Sequence, residues 1–214
     1  MYPSIIVDNF FPNPDEVVKF AKMQTFHPND GTYPGKRTYN IVDLDKDLYE
    51  FIFRKINNIF YCETNYRWVG NCYFQLIEPF TKNQYDAKNI GWVHYDTNYQ
   101  FGGIIYLNKN PEKDTGTVLY KEKCGFSNIT NEKLKLKFDH FTGESVDDEE
   151  YENALQNVNS KFEETVVVSN VYNRMLLFGS NVPHAVQTYG NLQDRLTIAF
   201  FCRTFSEINP PLFR

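Results

Sequence analysis

Clustered arginine and lysine, a CxxC pair and a long apolar run are all missing from this 214-residue chain, and each absence removes a class of function. Twenty-two basic residues stand against 27 acidic ones, for a net charge of -5 and a pI near 5.4. A surface that grips phosphate backbones needs clustered basic residues. Bulk nucleic-acid binding is therefore not expected, although a nucleic acid as substrate stays open. No stretch of about 18 apolar residues occurs, so no membrane partner is expected. The opening MYPSIIVDNFFPNPDE has neither a basic leader nor an unbroken apolar core. These features lead us to expect a soluble, cytoplasmic protein, residing in the host cytoplasm if the gene is a phage's.

Cys62, Cys72, Cys124 and Cys202 are scattered without zinc-knuckle spacing or a disulfide framework and read as free thiols. Asn128-Ile129-Thr130 fits a glycosylation sequon, which in a chain without a secretory leader reads as chance. Repeats, low-complexity tracts and linkers are also missing. What is present is aromatic and apolar bulk, 17% and 42% of residues, enough to fill one core in a single domain over 1–214. Abundant Asn, Lys, Ile, Tyr and Phe point to a low-GC genome, such as that of a phage or a marine bacterium.

Taken in order, Ser4 to Val7 reads as a short strand. Asn13-Pro14-Asp15-Glu16 then opens a helix, with Asn13 as cap, Pro14 in the first turn and two acids at the positive end of the dipole. The segment from Phe26 to Tyr39, with Pro28, Gly31, Pro34 and Gly35, has loop chemistry; it reads as solvated or as the border of a substrate mouth. Leu44, Leu48, Phe51, Ile52, Ile56, Ile59 and Phe60 recur at helical spacing. Residues 1–62 thus form a largely helical support. Short strands follow at Tyr66 to Ile77, Gly91 to Tyr95, Gly102 to Leu107 and Thr117 to Tyr120. After a polar, acidic insertion over 127–164, with one helix expected from Asp147 to about Val158, strands resume at Thr165 to Ser169, Met175 to Phe178, His184 to Gln187 and Arg195 to Arg203. Closely spaced strands over 66–126 and 165–205 argue for a mostly β sandwich or barrel with flanking α-helices.

The candidate chemistry starts in GWVHYD, Gly91 to Asp96. On an extended strand His94 and Asp96 point the same way, bringing an imidazole nitrogen and a carboxylate to one point. Any single histidine reads first as a surface or satisfied core residue, and His27 and His140 stay there. A third ligand for the first pair is His184, in SNVPHAVQTYG. Two histidines and one carboxylate on one face of a metal are the arrangement of non-haem Fe(II) oxygenases. Eleven residues later Arg195 begins the apolar strand RLTIAFF. A cation there either snorkels to solvent or meets an anion, and its fork fits a carboxylate.

The ordered set His94-x-Asp96, His184 and Arg195 resembles the Fe(II)- and 2-oxoglutarate-dependent oxygenases, and within them the prolyl 4-hydroxylase group. NVPHAVQTYG with Arg195 and TIAFF is similar to that group's distal segment, IIYLN to its strand after the HxD, and DTGTVLY to the turn and strand beyond. The amino-terminal DNFFPNPDEVV is similar to the opening of small phage and bacterial members. The resemblance implies a double-stranded β-helix (jelly-roll, cupin-like) core, with Fe(II) held by His94, Asp96 and His184. It further implies 2-oxoglutarate as cosubstrate with its distal carboxylate on Arg195, helped by Tyr106 and by Thr197 on the same strand face. Another cosubstrate contact is expected on NCYFQLIEP, from Tyr73 or Gln75. O2 is the co-reactant, with ascorbate a possible addition. The implied reaction is hydroxylation of a C–H bond in a peptidyl side chain, prolyl or other, or in a small metabolite, with release of succinate and CO2. One glycine in the turn at Asp114 to Thr117, and the insertion over 127–164, depart from the group's pattern. From a different class, a jelly-roll binding or structural module, in a virion or in carbohydrate recognition, would use the histidines structurally or for zinc.

Overall fold

A computed structural model describes residues 4–60, 68–96, 98–123 and 131–204. Cys62, Cys124, the sequon at Asn128, Pro210-Pro211 and the first residues of the strand expected from Tyr66 lie outside them.

Ten strands are described: β1 (Ile5–Val7), β2 (His27–Pro28), β3 (Lys36–Arg37), β4 (Trp68–Ile77), β5 (Phe101–Tyr106), β6 (Thr117–Glu122), β7 (Phe162–Val168), β8 (Met175–Gly179), β9 (His184–Val186) and β10 (Arg195–Thr204). They form a seven-stranded sheet in the order β1-β8-β5-β10-β4-β3-β2 and a three-stranded sheet in the order β7-β6-β9. Every pairing is antiparallel. The two sheets make the jelly roll expected, mostly β with a few helices, which are α1 (Pro14–Lys22), α2 (Ile41–Leu44), α3 (Lys46–Phe60), α4 (Asn131–Thr142) and α5 (Asp148–Asn159). Among the described residues no helix is long and apolar enough to cross a membrane.

The large sheet is organised by strict alternation. On β10, Leu196, Ile198, Phe200 and Cys202 are buried in one cluster with Cys72 and Phe74 of β4, Phe101 and Ile105 of β5, and Ile52, Phe53 and Ile56 of α3. That face takes the helices. The other face, turned toward the small sheet, carries Arg195, Thr197 and Ala199, because successive side chains point to opposite sides. Register then extends this face across four strands: Arg37 on β3 opposes Gln75, Gln75 opposes Thr197, and Thr197 opposes Tyr106. Directly opposed residues share a face, so one row runs Arg37, Gln75, Thr197, Tyr106 across the inner surface.

Several sequence expectations need correction. Asn13 stands at the start of α1, but its side chain makes no capping hydrogen bond. The expected helix over 44–60 is two, broken at Asp45, whose side chain accepts from Leu48 N–H at 2.9 Å; Phe51 on it is 37% exposed rather than buried. The segment Phe26 to Tyr39 contributes two-residue strands at the sheet edge. Gly91 to Tyr95 is not a continuous strand: it touches the small sheet through one bridge, His94 to His184, and a second isolated bridge, Ile90 to Thr188, stands just before it. The insertion holds two helices, and its last residues from Phe162 already belong to β7. Cys72 and Cys202 are buried free thiols, and burial pushes the Cys202 thiol up to about 12.

Candidate metal centre and anion anchor

His94 and His184 face each other as a bridged antiparallel pair, each backbone N–H donating to the other's carbonyl at 3.0 Å. This pairing sets the two rings side by side, with centroids 4.4 Å apart. Phe178 covers the far side of His184 at 4.1 Å. Each ring is then fixed by its own backbone. His94 Nδ1 lies 2.8 Å from the Trp92 carbonyl and His184 Nδ1 lies 3.0 Å from the Val182 carbonyl. A carbonyl can only accept, so Nδ1 of both rings carries the proton and Nε2 presents a lone pair. Both Nε2 atoms face one carboxylate, at 3.9 Å from Asp96 Oδ1 for His94 and 3.5 Å from Oδ2 for His184. One ligand atom from each of the three residues lies within 4.8 Å of the others. Burial, together with the neighbouring His184, holds the His94 imidazole well below its usual pKa. A neutral His94 beside a carboxylate is the protonation state a divalent cation requires of its ligands.

Two glycines are needed for this arrangement. A Cβ on Gly102 would lie 3.1 Å from Asp96 Oδ2, and one on Gly91 would lie 2.4 Å from the Val186 carbonyl oxygen. The first makes room for the carboxylate on β5; the second lets GWVHYD approach β9 without a strand between them. From outside, α5 braces the same segment. Asn159 accepts from Val93 N–H at 2.9 Å and donates to the Gly91 carbonyl at 3.0 Å, while Trp92 Nε1 donates to the Tyr151 hydroxyl at 2.8 Å.

The second half of the site is Arg195, 3% exposed. Its Nε donates to the Thr115 carbonyl at 3.1 Å, and its guanidinium lies 5.5 Å from the Tyr106 ring centre. Nη2 is buried and has no partner among the described residues. Two acids line the same cleft, Glu112 and Asp194, and neither forms an ion pair with it. Glu112 instead receives the backbone N–H groups of Asn191, Leu192 and Gln193. Burial pulls the Arg195 pKa down, and a guanidinium so placed calls for an anion. Snorkelling to solvent does not occur.

Tyr106 is fully buried and donates its hydroxyl to Thr117 Oγ1 at 2.7 Å; Thr117 in turn pairs with Val186, two residues beyond His184. Along β9 that offset is about 7 Å, comparable with the span of an extended five-carbon dicarboxylate. Thr197 is buried between Gln75 and Tyr106. The two alternatives on β4 differ in surroundings. Gln75 donates to the Pro34 carbonyl at 2.8 Å and accepts from Arg37 Nη2 at 3.1 Å, so both ends of its amide are occupied. Tyr73 lies beneath Arg37, 5.5 Å from guanidinium carbon to ring centre.

Two cations near the candidate metal cluster were given no role from the sequence, Arg37 being read only as the end of a loop that could border a substrate mouth and Lys137 not at all. Arg37 and Lys137 both act electrostatically on Asp96 and on His94. The doublet Lys36-Arg37 at a loop end was a visible signal; Lys137, in the helical run KLKLKF, offered none. His140, read as an ordinary histidine, is 5% exposed with Nε2 at 3.0 Å from the Lys88 carbonyl.

The jelly roll, whose inner face gathers two histidines, an aspartate and a buried arginine, is a fold shared with the 2-oxoglutarate-dependent Fe(II) oxygenases. The chain belongs to the family of unknown function DUF6445, whose model matches residues 2–201. No curated protein matches it. Among solved structures it is similar to a prolyl hydroxylase from Trichoplax adhaerens in complex with a hypoxia inducible factor peptide fragment. There the TM-score is 0.57 at 16% identity, covering 93% of this chain and 82% of that one. It is also similar to HygX from Streptomyces hygroscopicus with nickel and 2-oxoglutarate bound, with a TM-score of 0.55 at 11% identity over 93% and 82% of the two chains. A prolyl-4-hydroxylase from Pseudomonas putida gives a TM-score of 0.50 at 12% identity over 95% and 93%. At these identities the likeness is one of fold.

Proposed function

We propose that this chain is a non-haem Fe(II)- and 2-oxoglutarate-dependent dioxygenase that hydroxylates a C–H bond of a peptidyl side chain, prolyl or other, or of a small metabolite. The observation that carries this reading is the convergence of two Nε2 lone pairs on the Asp96 carboxylate, with both Nδ1 protons tied to carbonyls. His94, Asp96 and His184 would hold the metal, leaving its other positions open. The orphaned Nη2 of Arg195 fits the distal carboxylate of 2-oxoglutarate, with Tyr106 and Thr197 completing the anchor; of the two candidates on β4, Tyr73 and Gln75, the Gln75 amide is already occupied at both ends. Iron, O2 and 2-oxoglutarate would together supply the oxidising chemistry of hydroxylation, with succinate and CO2 as co-products; ascorbate would serve only to keep the metal reduced.

The chain's own residues bind, orient and exclude water. The cross-strand bridge fixes the angle between the two imidazoles, and the Trp92 and Val182 carbonyls keep their tautomers. Phe178 of β8, nearly inaccessible, places apolar surface against His184 from the large-sheet side. Nickel and 2-oxoglutarate in HygX and a peptide on the Trichoplax adhaerens enzyme support the cosubstrate and the peptide option respectively. Prolyl hydroxylase-like specificity is the finest form of the proposal.

Under anaerobic conditions, Fe(II) plus 2-oxoglutarate should give a metal-to-ligand charge-transfer band that Asp96→Ala abolishes. A band that survives Asp96→Ala, or none in the wild type, removes the assignment. Succinate release that needs both iron and O2 separates this enzyme from a binding module with structural or zinc-bound histidines.

A further inference from the structure

Arg37 and Lys137 are not among the residues assigned above to metal or cosubstrate. Arg37, on β3, lies in an aromatic enclosure: its guanidinium carbon is 3.8 Å from the Tyr33 ring centre and 5.5 Å from those of Tyr73 and Phe201. Tyr99 packs on Phe201 at 5.1 Å. One hydrogen bond holds the guanidinium, to Gln75, while Nε is buried and unpartnered. Neither Arg37 nor Lys137 forms an ion pair among the described residues; Lys137 lies 5.6 Å from the Phe141 ring centre. The acid they share is Asp96, which is taken as a metal ligand; Asp30 acts on Arg37 more weakly.

The segments bearing these cations meet each other. Asn29 donates to the Phe141 carbonyl at 2.9 Å, and Gly31 sits so close to Phe138 that a Cβ would lie 2.9 Å from its side chain. The loop over 26–39 and helix α4 therefore form two touching walls over the site. Charge accounting sharpens the point, on the dioxygenase reading above. The iron and Arg195 are neutralised by Asp96 and the two carboxylates of 2-oxoglutarate. Arg37 and Lys137 remain as uncompensated positive charges in a partly desolvated, aromatic-walled mouth, where leaving them unpaired is costly.

We propose that Arg37 and Lys137 form the specificity site of this enzyme, and that its substrate is an anion whose carboxylate or phosphate docks between them with an apolar or aromatic body against Tyr33, Tyr73 and Phe201. The guanidinium fork favours a planar carboxylate, and the ammonium serves as a movable point charge. The reacting carbon then lies on the same molecule, on the metal side of the anchored group.

Calorimetric titration of the full chain loaded with Zn(II) and saturating 2-oxoglutarate, where no turnover occurs, tests this. The probes are benzoate, its neutral isostere benzamide, and inorganic phosphate. Benzoate should bind at least tenfold tighter than benzamide. Arg37→Gln and Lys137→Gln should each weaken it roughly tenfold or more, as expected for a lost hydrogen bond to a charged group. Arg37→Lys should recover part of that loss, and 2-oxoglutarate affinity should be unchanged in Lys137→Gln. Phosphate binding tighter than benzoate would assign the anchored group as a phosphate; benzoate tighter, as a carboxylate. Equal binding of benzoate and benzamide, no heat from either anion, or anion binding indifferent to both substitutions in folded variants overturns the proposal. Competition between benzoate and 2-oxoglutarate also overturns it, by placing Arg37 in the cosubstrate pocket. If benzoate binds as described but neither metal nor 2-oxoglutarate does, the anion site stands and the dioxygenase reading falls.

Discussion

Arg195 and Arg37 stand on the same inner face of the large sheet, yet their surroundings differ in kind. Arg195 is sealed in, supported by a backbone carbonyl and flanked by Tyr106, with one guanidinium nitrogen left unpaired. Arg37 is ringed by aromatic faces, and both it and Lys137 act electrostatically on His94. A deep cation with hydroxyl neighbours selects one small anion of fixed length and holds it out of water. A cation against aromatic walls tolerates variety in the body of its ligand and reads chiefly its charge. On the proposed reading, depth and lining separate a cosubstrate anchor at Arg195 from a substrate anchor at Arg37.

The largest effect is expected at the deep arginine. Arg195→Met should weaken 2-oxoglutarate binding by roughly 100-fold or more, the cost of about 3 kcal/mol typical for losing one partner of a buried charge pair. It should also leave the cosubstrate-free protein as stable as the wild type or more so, because an unpaired buried charge is removed. Calorimetry and urea melts measure the two, and a destabilised protein with unchanged cosubstrate affinity would contradict the assigned role. Asn159→Ala comes next. It frees the backbone of Gly91 and Val93, and should weaken metal affinity about tenfold, at the low end of what outer supports of metal ligands contribute, as read by Zn(II) competition with a chelating dye.

Smaller effects separate the two arginines further. Burial pushes Lys137 down to about 8, so its positive charge is lost as pH rises through that value. Benzoate affinity should therefore fall several-fold between pH 7 and 9, while 2-oxoglutarate affinity, resting on Arg195, stays flat. Stability moves the other way: a lysine whose pKa is depressed in the folded state binds fewer protons there than when unfolded, so its destabilising contribution fades as pH rises from about 8 toward its ordinary value. Tyr33→Ala removes the nearest ring from Arg37, an interaction worth about 0.5–2 kcal/mol. The change should reduce benzoate affinity only a few-fold and leave cosubstrate binding untouched. If Tyr33→Ala and Arg195→Met proved equal in their effect on 2-oxoglutarate, the division into two anchors would fail.

What was legible in the sequence follows from the range of the interactions involved. The alternation in RLTIAFF was read from neighbouring residues, and it places Arg195 and Thr197 on the inner face. The grouping of His94 and Asp96 came from an assumed strand; in the structure the chain there is irregular, and it is the bridge to His184 and the space at Gly102 that bring the groups together. Neither can be seen in local spacing. Helix α4 went unread because KLKLKF looks like a solvated face, and its approach to the loop over 26–39 joins segments distant in sequence. The corrections at Asn13 and at the break near Asp45 have a simpler cause, since helix ends are decided by side-chain hydrogen bonds that composition only suggests.

The two hydrogen bonds between Asn159 and the segment bearing His94 would make helix α5 a thermodynamic partner of any metal held there rather than a decoration. Any ion that prefers the assembled ligand set must, by linkage, favour the docked helix to the same degree that the docked helix favours the ion. Metal loading should therefore slow amide exchange along α5, well away from the ligands, and a partner that pulled this helix off the barrel would lower the protein's hold on its metal by the same factor.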